Sequence, residues 1–168
     1  MNYKQLMIKD LQDLYQAESE QERLMPQLIS RLSNDELRSA IQQHLDETQQ
    51  HVLRLQQVLE MAGTGPGGDG ELTTGVQGLV SEAYKKLEQV QDPTLRDLAA
   101  IAEMQKLEHY EIACYGTARA MARTAGLDAA GRLLQATLDE EEGTDKRLTD
   151  VALPIHKQAA EQDSTIEH

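Results

Sequence analysis

The sequence has no tryptophan and no phenylalanine, and aromatic residues make up only 3% of its 168 positions. A β-sandwich or barrel of this length needs more aromatic and β-branched filling, so an all-β fold is excluded. The single cysteine, Cys114, rules out an internal disulfide and makes a reducing cytoplasm the expected compartment. Long apolar runs are missing, so no transmembrane span is expected. Met1 to Asp10 is charged, so no signal peptide is expected either. Basic residues are few: 16 Lys and Arg face 29 Asp and Glu, a formal net charge of −13. That balance excludes nucleic acid and anionic membrane surfaces as partners and suits a protein that handles cations.

What fills the chain instead is Leu, Ala, Gln, Glu and Met, all good helix formers. Apolar residues recur with helical period almost throughout. The spacing predicts a first helix over Tyr3 to Leu32 and a second over about Asn34 to Ala62, with Ser33 as N-cap and Glu36 completing a capping box. GTGPGGDG (63–70) is too rich in Gly and Pro to be helical, and it lacks the Lys-Ser/Thr end of a phosphate-binding loop. A short helix is expected from about Gly75 to Val90. Asp92-Pro93 opens a long helix that stops near Gly126, and Asp128 caps a last one reaching about Ala160. Short loops near 33 and 126 make two hairpins, and residues 63–92 are long enough to cross the bundle. The expected fold is therefore all-α, a ferritin-like four-helix bundle with a long crossover carrying a short extra helix. Residues 1–162 form the bundle and 163–168 a C-terminal tail.

Each long helix carries acid on its apolar stripe near mid-length. Glu18 sits among Met7, Leu11, Leu14 and Met25, and Glu111 among Met104, Leu107, Tyr115 and Ala118. Glu141, with Asp145 one turn on, sits among Leu134, Leu138 and Leu148. His44 and His51 fall within the stripe of the second helix, with Glu47 at its edge. An unpaired buried carboxylate costs several kcal/mol, and converging ones also repel one another. Lys and Arg are scarce on these stripes. Glu18, Glu47, Glu111, Glu141 and Asp145 carry five negative charges between them, which two divalent ions would largely offset. Carboxylates with an imidazole suit iron or manganese. The spacing repeats between hairpins: 47 − 18 = 29 and 141 − 111 = 30.

LYQAE (14–18), HLDETQQHVLRL (44–55), EHYEIACYG (108–116) and LLQATLDEEEGTDKRL (133–148) together resemble the ferritin-like stress-response family of DUF892, or YciE/YciF, proteins. The resemblance covers essentially the whole chain. It implies a ferritin-like fold, a homodimer, a dinuclear iron or manganese site, and Glu18, Glu47, His51, Glu111, Glu141 and Asp145 as ligands. It further implies stress defence, either removal of peroxide or oxidation and sequestration of Fe²⁺, with metal ions and O₂ or peroxide as partners. The chain departs from the wider ferritin pattern, in which both paired helices use Glu-x-x-His. Here the second residue lies four positions on, and in the second hairpin it is Asp145.

Other readings stay open at this point. Glu108 is either an added ligand or a supporting group. His44 is either a ligand or a hydrogen-bonded core residue, and Tyr15 and Tyr115 either contact the site or simply pack. Of the run Asp139 to Glu142, only Glu141 is expected to face inward. The competing functional reading is a structural or interaction bundle whose metal site has no turnover.

Overall fold

Helix starts in this chain are marked by side chains that satisfy free backbone N–H groups. Asn2 accepts from Gln5 N, with Gln5 returning the bond, and opens α1 (Tyr3–Ile29). Asn34 opens α2 (Asp35–Met61), Thr73 opens α3 (Thr74–Gln89), and Asp92 followed by Pro93 opens α4 (Pro93–Thr124). α5 (Asp128–Ile166) completes the chain. These elements come from a computed structural model that describes residues 1–67 and 72–166, with side chains described to Gln162. The described residues are all-helical, with no strand.

Several expected boundaries move. α1 stops at Ile29, three residues before Leu32, and Ser33 does not cap α2. Ser33 is held elsewhere: its N–H and hydroxyl donate to Asp97 of α4 at 2.9 and 2.6 Å, and Asn34 N–H donates there too at 2.9 Å. Buried Asp97 thus clamps the first hairpin loop, and the cap passes to Asn34. α5 runs to Ile166, past the expected end near Ala160, so the first four residues of the expected tail are helical. Residues 167–168, and 68–70 of the glycine-rich stretch, lie outside the described residues. Gly126 ends α4 as expected. With φ at 77°, its N–H bonds Arg123 O and Leu127 N–H bonds Ala122 O, a paired closure that needs the left-handed region.

α1 packs on α2 and α4, and α5 packs on α4 and α2, which closes a four-helix square. α3 lies outside, against α4. The burial pattern of the first hairpin recurs in the second at one offset, since 111 − 18 = 93 and 144 − 51 = 93. Buried Leu11, Leu14, Glu18 and Met25 of α1 map onto buried Met104, Leu107, Glu111 and Ala118 of α4. Buried Ile41, His44, Thr48, His51 and Leu55 of α2 map onto buried Leu134, Thr137, Glu141, Thr144 and Leu148 of α5. The apolar interior is split in two. One core gathers Met7, Leu11, Leu55, Leu59, Tyr115, Ala122 and Leu134, and the other Met25, Leu37, Ile41, Ile101, Leu148 and Ile155. Between them lies a belt of buried polar side chains.

Candidate metal centre

Helical spacing builds the belt. Glu18 and Gln21 on α1, and Glu108 and Glu111 on α4, are three apart and project the same way. His44, Thr48 and His51 on α2, and Thr137, Glu141 and Thr144 on α5, repeat at steps of four and three. All ten are buried, and Glu18, Glu108, Glu111 and Glu141 have no exposed surface at all.

Two groups of three residues each place one ligand atom per residue within 4.8 Å of one another: Glu18, His51 and Glu141, and His44, Glu108 and Glu141. Glu141 belongs to both. His51 Nδ1 lies 2.9 Å from Glu141 Oε1 and 3.3 Å from Glu18 Oε1, and His44 Nε2 lies 3.1 Å from Glu108 Oε1. The outer side of the imidazole is anchored. His51 Nε2 is 2.8 Å from Glu140 Oε2, and Arg54 donates to both oxygens of Glu140, at 2.5 and 2.9 Å. Tyr115 donates its hydroxyl hydrogen to Glu18 Oε1 at 2.5 Å, and Gln21 donates to Glu111 Oε2.

The remaining inward atoms face only one another. Both oxygens of Glu108 and of Glu141, Oε2 of Glu18, Oε1 of Glu111, His44 Nε2 and His51 Nδ1 are buried, with no well-aligned hydrogen bond to any group outside the cluster. Burial, reinforced by the Glu141 charge, raises the Glu18 carboxyl. Burial, with Glu18 adding repulsion, pushes Glu108 up to about 7. Burial and the neighbouring Glu108 push Glu141 up to about 7. Glu111 lies well above the usual carboxylate range, through burial and then repulsion from Glu18 and Glu141. Burial disfavours the charged imidazole of His51, but its bonds to Glu141 and Glu18 outweigh that and raise it to about 11. His44 is lowered, chiefly by burial. Glu140 falls the other way: burial raises it, and Arg54 and His51 outweigh that.

Such a cluster is costly as a set of bare charges and favourable around cations. The donors are carboxylate oxygens and two imidazole nitrogens aimed inward, a set that fits a first-row divalent metal once it displaces their protons. The described residues therefore could hold a metal ion at either grouping.

The sequence-predicted residues fall into distinct places. Glu18, His51 and Glu141 meet in one grouping, and Glu111, in neither, is near enough to feel the charges of Glu18 and Glu141. Glu108 and His44, left open by the sequence, form the second grouping with Glu141. Glu47 and Asp145 are in neither. Glu47 is about one-fifth exposed, accepts from Gln43 and Thr144 at 2.9 and 3.2 Å, and faces Arg147. Asp145 accepts from Gln105 at 3.0 Å and faces exposed His109. Each acid is the chain neighbour of an inward residue: Thr48 follows Glu47, and Thr144 precedes Asp145. One step turns a side chain about 100° around its helix, which is enough to take both acids off the inner face. Tyr115 touches the site, whereas half-buried Tyr15 accepts from Gln56 at 3.2 Å. Glu140, expected in solvent, instead braces His51. The signal available for it was Arg54, three positions after His51, which has no acid three or four positions away on its own helix to pair with.

A family profile described as "Domain of unknown function (DUF892)" matches residues 2–161. The chain is 38% identical to Protein YciF of Escherichia coli (strain K12) over 149 residues, 85% of this chain and 86% of that protein. The crystal structure of the E. coli stress protein YciF superposes with a TM-score of 0.88 at 35% identity, covering 94% of this chain and 98% of that one. A Rhodopseudomonas palustris structure, YcfI, described as a candidate structural protein, superposes with a TM-score of 0.84 at 34% identity, covering 89% and 94%.

Proposed function

The chain belongs to the DUF892 family, and from that membership and the buried cluster we propose a dinuclear iron or manganese carboxylate protein of stress defence, acting on O₂ or peroxide or oxidising and sequestering Fe²⁺. The observation that carries this reading is Glu141, which stands between two ligand sets. Glu18 and His51 would hold one ion, His44 and Glu108 the other, with Glu111 adjoining. When bound, such ions supply electrons to dioxygen or peroxide. The chain's own residues set the conditions. The two apolar cores keep water from the belt. Glu140 and Arg54 hold the His51 ring so that Nδ1 faces inward. Tyr115 keeps its proton on the hydroxyl that bonds Glu18, since burial and then the Glu18 charge raise it well above the usual phenol range.

The expected setting is a cytoplasmic homodimer without nucleic-acid or membrane partners. The net charge of −13 supports the absence of nucleic acid, and no helix among the described residues is long and apolar enough to cross a membrane. Exposed Leu53, Leu95 and Leu153 supply apolar surface for a second copy.

The test is elemental analysis of the untagged protein, then anaerobic Fe²⁺ or Mn²⁺ titration and exposure to air. About two ions per chain are expected. A chain that takes up none would overturn the proposal. The description of the R. palustris relative as a candidate structural protein favours a second reading, a bundle whose metal stabilises it without turnover. Failure of the Fe²⁺-loaded protein to consume O₂ or peroxide would select that reading.

A further inference from the structure

The offset that relates the two hairpins also relates two acids and two arginines outside the belt. Glu47 of α2 corresponds to Glu140 of α5, since 140 − 47 = 93, and Arg54 of α2 to Arg147 of α5, since 147 − 54 = 93. The pairs cross between the same two helices. Glu140 of α5 meets Arg54 of α2 at 2.5 Å, and Glu47 of α2 faces Arg147 of α5 at 3.5 Å. What each acid supports corresponds too. Glu140 lies against His51, and Glu47 accepts from Thr144, the residue that takes the His51 position on α5.

Thr144 carries the contact one step further. It is buried, its hydroxyl donates to Glu47 Oε2 at 3.2 Å, and its Oγ1 lies 3.4 Å from His44 Nδ1. A hydroxyl has one hydrogen. With that hydrogen given to Glu47, Oγ1 can only accept from His44, which places the imidazole hydrogen on Nδ1. A neutral imidazole has a single N–H, so Nε2 keeps its lone pair. Nε2 is the atom that faces Glu108, 3.1 Å away, in the second ligand grouping. His51 turns Nδ1 inward with Nε2 on Glu140, and His44 turns Nε2 inward with Nδ1 on Thr144.

We infer that Glu47, Arg147 and Thr144 form a second outer bracket that directs His44 Nε2 toward the Glu108–Glu141 grouping, as Glu140 and Arg54 direct His51 toward its own. Glu47 and Thr144 are thus positioning residues, a role that suits an acid beside the ligand groupings and in neither of them. The place of the hydrogen on Nδ1 stands on the hydrogen bonds alone, and its service to a bound metal rests on the proposed function.

The test has a metal-free arm and a metal arm. In chelated protein, the ring ¹⁵N chemical shifts of His44 report which nitrogen carries the hydrogen. Glu108→Gln removes the competing carboxylate beside Nε2, and in that variant the hydrogen should sit on Nδ1. Adding Thr144→Val should shift it toward Nε2, and adding Thr144→Ser should leave it in place. Hydrogen on Nε2 in Glu108→Gln, or no change on adding Thr144→Val, would overturn the inference whether or not the protein binds metal. In the otherwise wild-type chain, Thr144→Val and Glu47→Ala should each weaken Mn²⁺ binding by about 10–100-fold, read by competition with a chelating dye, and Thr144→Ser should restore it. In a His44→Ala background, Thr144→Val should cost nothing further, because the ring it positions is gone. An equal further loss would overturn the inference, and so would loss of an ion from Glu47→Ala at saturating Mn²⁺. Far-UV circular dichroism checks each fold, and Thr144→Ala replaces Thr144→Val if that variant does not fold. Failure of the wild type to take up Mn²⁺ would overturn the metal reading, and the ¹⁵N shifts would still decide the bracket.

Discussion

Metal-free protein should become less stable as the pH rises from about 5 to about 8, because its buried carboxyls must then ionise without a counter-charge. Glu108 and Glu141 each move from 4.5 to about 7 in the folded chain, mainly through burial. A folded-state value above the unfolded one gives stability that is complete below 4.5 and lost as the pH passes about 7. One shift of that size corresponds to about 3 kcal/mol, and the pair, being close enough to interact, to about 3–6 kcal/mol together. His51 acts in the same direction. Raised to about 11, it contributes fully below 6.5 and progressively less above it. Glu18 and Glu111, raised by the same burial, add to the loss, and His44, lowered by burial, opposes it only up to 6.5. Glu103 and Glu140, whose values are lowered, lose their contribution only on acidification and leave this window unaffected. At about 2–4 °C per kcal/mol for a chain of this size, the melting temperature should fall by roughly 10 °C. The assay is thermal melting by far-UV circular dichroism of protein stripped with a chelator and dialysed, beside the same protein reloaded with metal. The difference between the two should widen with pH, since metal competes with protons for the same atoms. A metal-free melting temperature that holds level or climbs would refute the reasoning. So would a Glu108→Gln, Glu141→Gln double variant that keeps the wild-type slope.

Other perturbations separate the roles of individual residues. Glu141→Ala should abolish tight binding of at least one ion, and unchanged stoichiometry by elemental analysis would remove Glu141 from the ligand set. Glu140→Gln should keep the fold and weaken metal binding by about 10–100-fold, read by competition with a chelating dye. Asp145→Asn should leave stoichiometry as in the wild type, because Asp145 is turned toward Gln105 and His109. Asp97→Ala should cost about 3 kcal/mol in denaturant unfolding, since three donors of the first hairpin loop lose their acceptor.

Most of the architecture was legible because helical period and punctuation agree along the chain. Asp92-Pro93 and Gly126 act where their chemistry says they should. Ser33 misleads because its hydroxyl has a better partner, Asp97, which lies 64 positions away and cannot be read locally. Of the candidate site, the sequence shows the inward acids Glu18, Glu111 and Glu141, but the geometry shifts the register expected for the second member of each pair. Spacings of 29 and 30 look like one repeat, yet one residue on a helix is about 100°. The consistent shift pairs Thr48, not Glu47, with Glu141, and Thr144, not Asp145, with His51. Thr carries no charge to draw the eye, so the two acids beside the inward-facing threonines stand out in the sequence. Glu140 escapes notice for the opposite reason: within an acidic run it looks solvated, and only the neighbouring helix shows what it supports.

The 93-residue correspondence matches the hairpins in which positions they bury and leaves them unlike in charge. Where α2 presents His44, Thr48 and His51, α5 presents Thr137, Glu141 and Thr144, so both imidazoles approach from one wall. The centre therefore has a front and a back despite its near-symmetric frame. A ligand or reductant entering between the helices would therefore meet nitrogen donors on one side and only oxygen donors on the other.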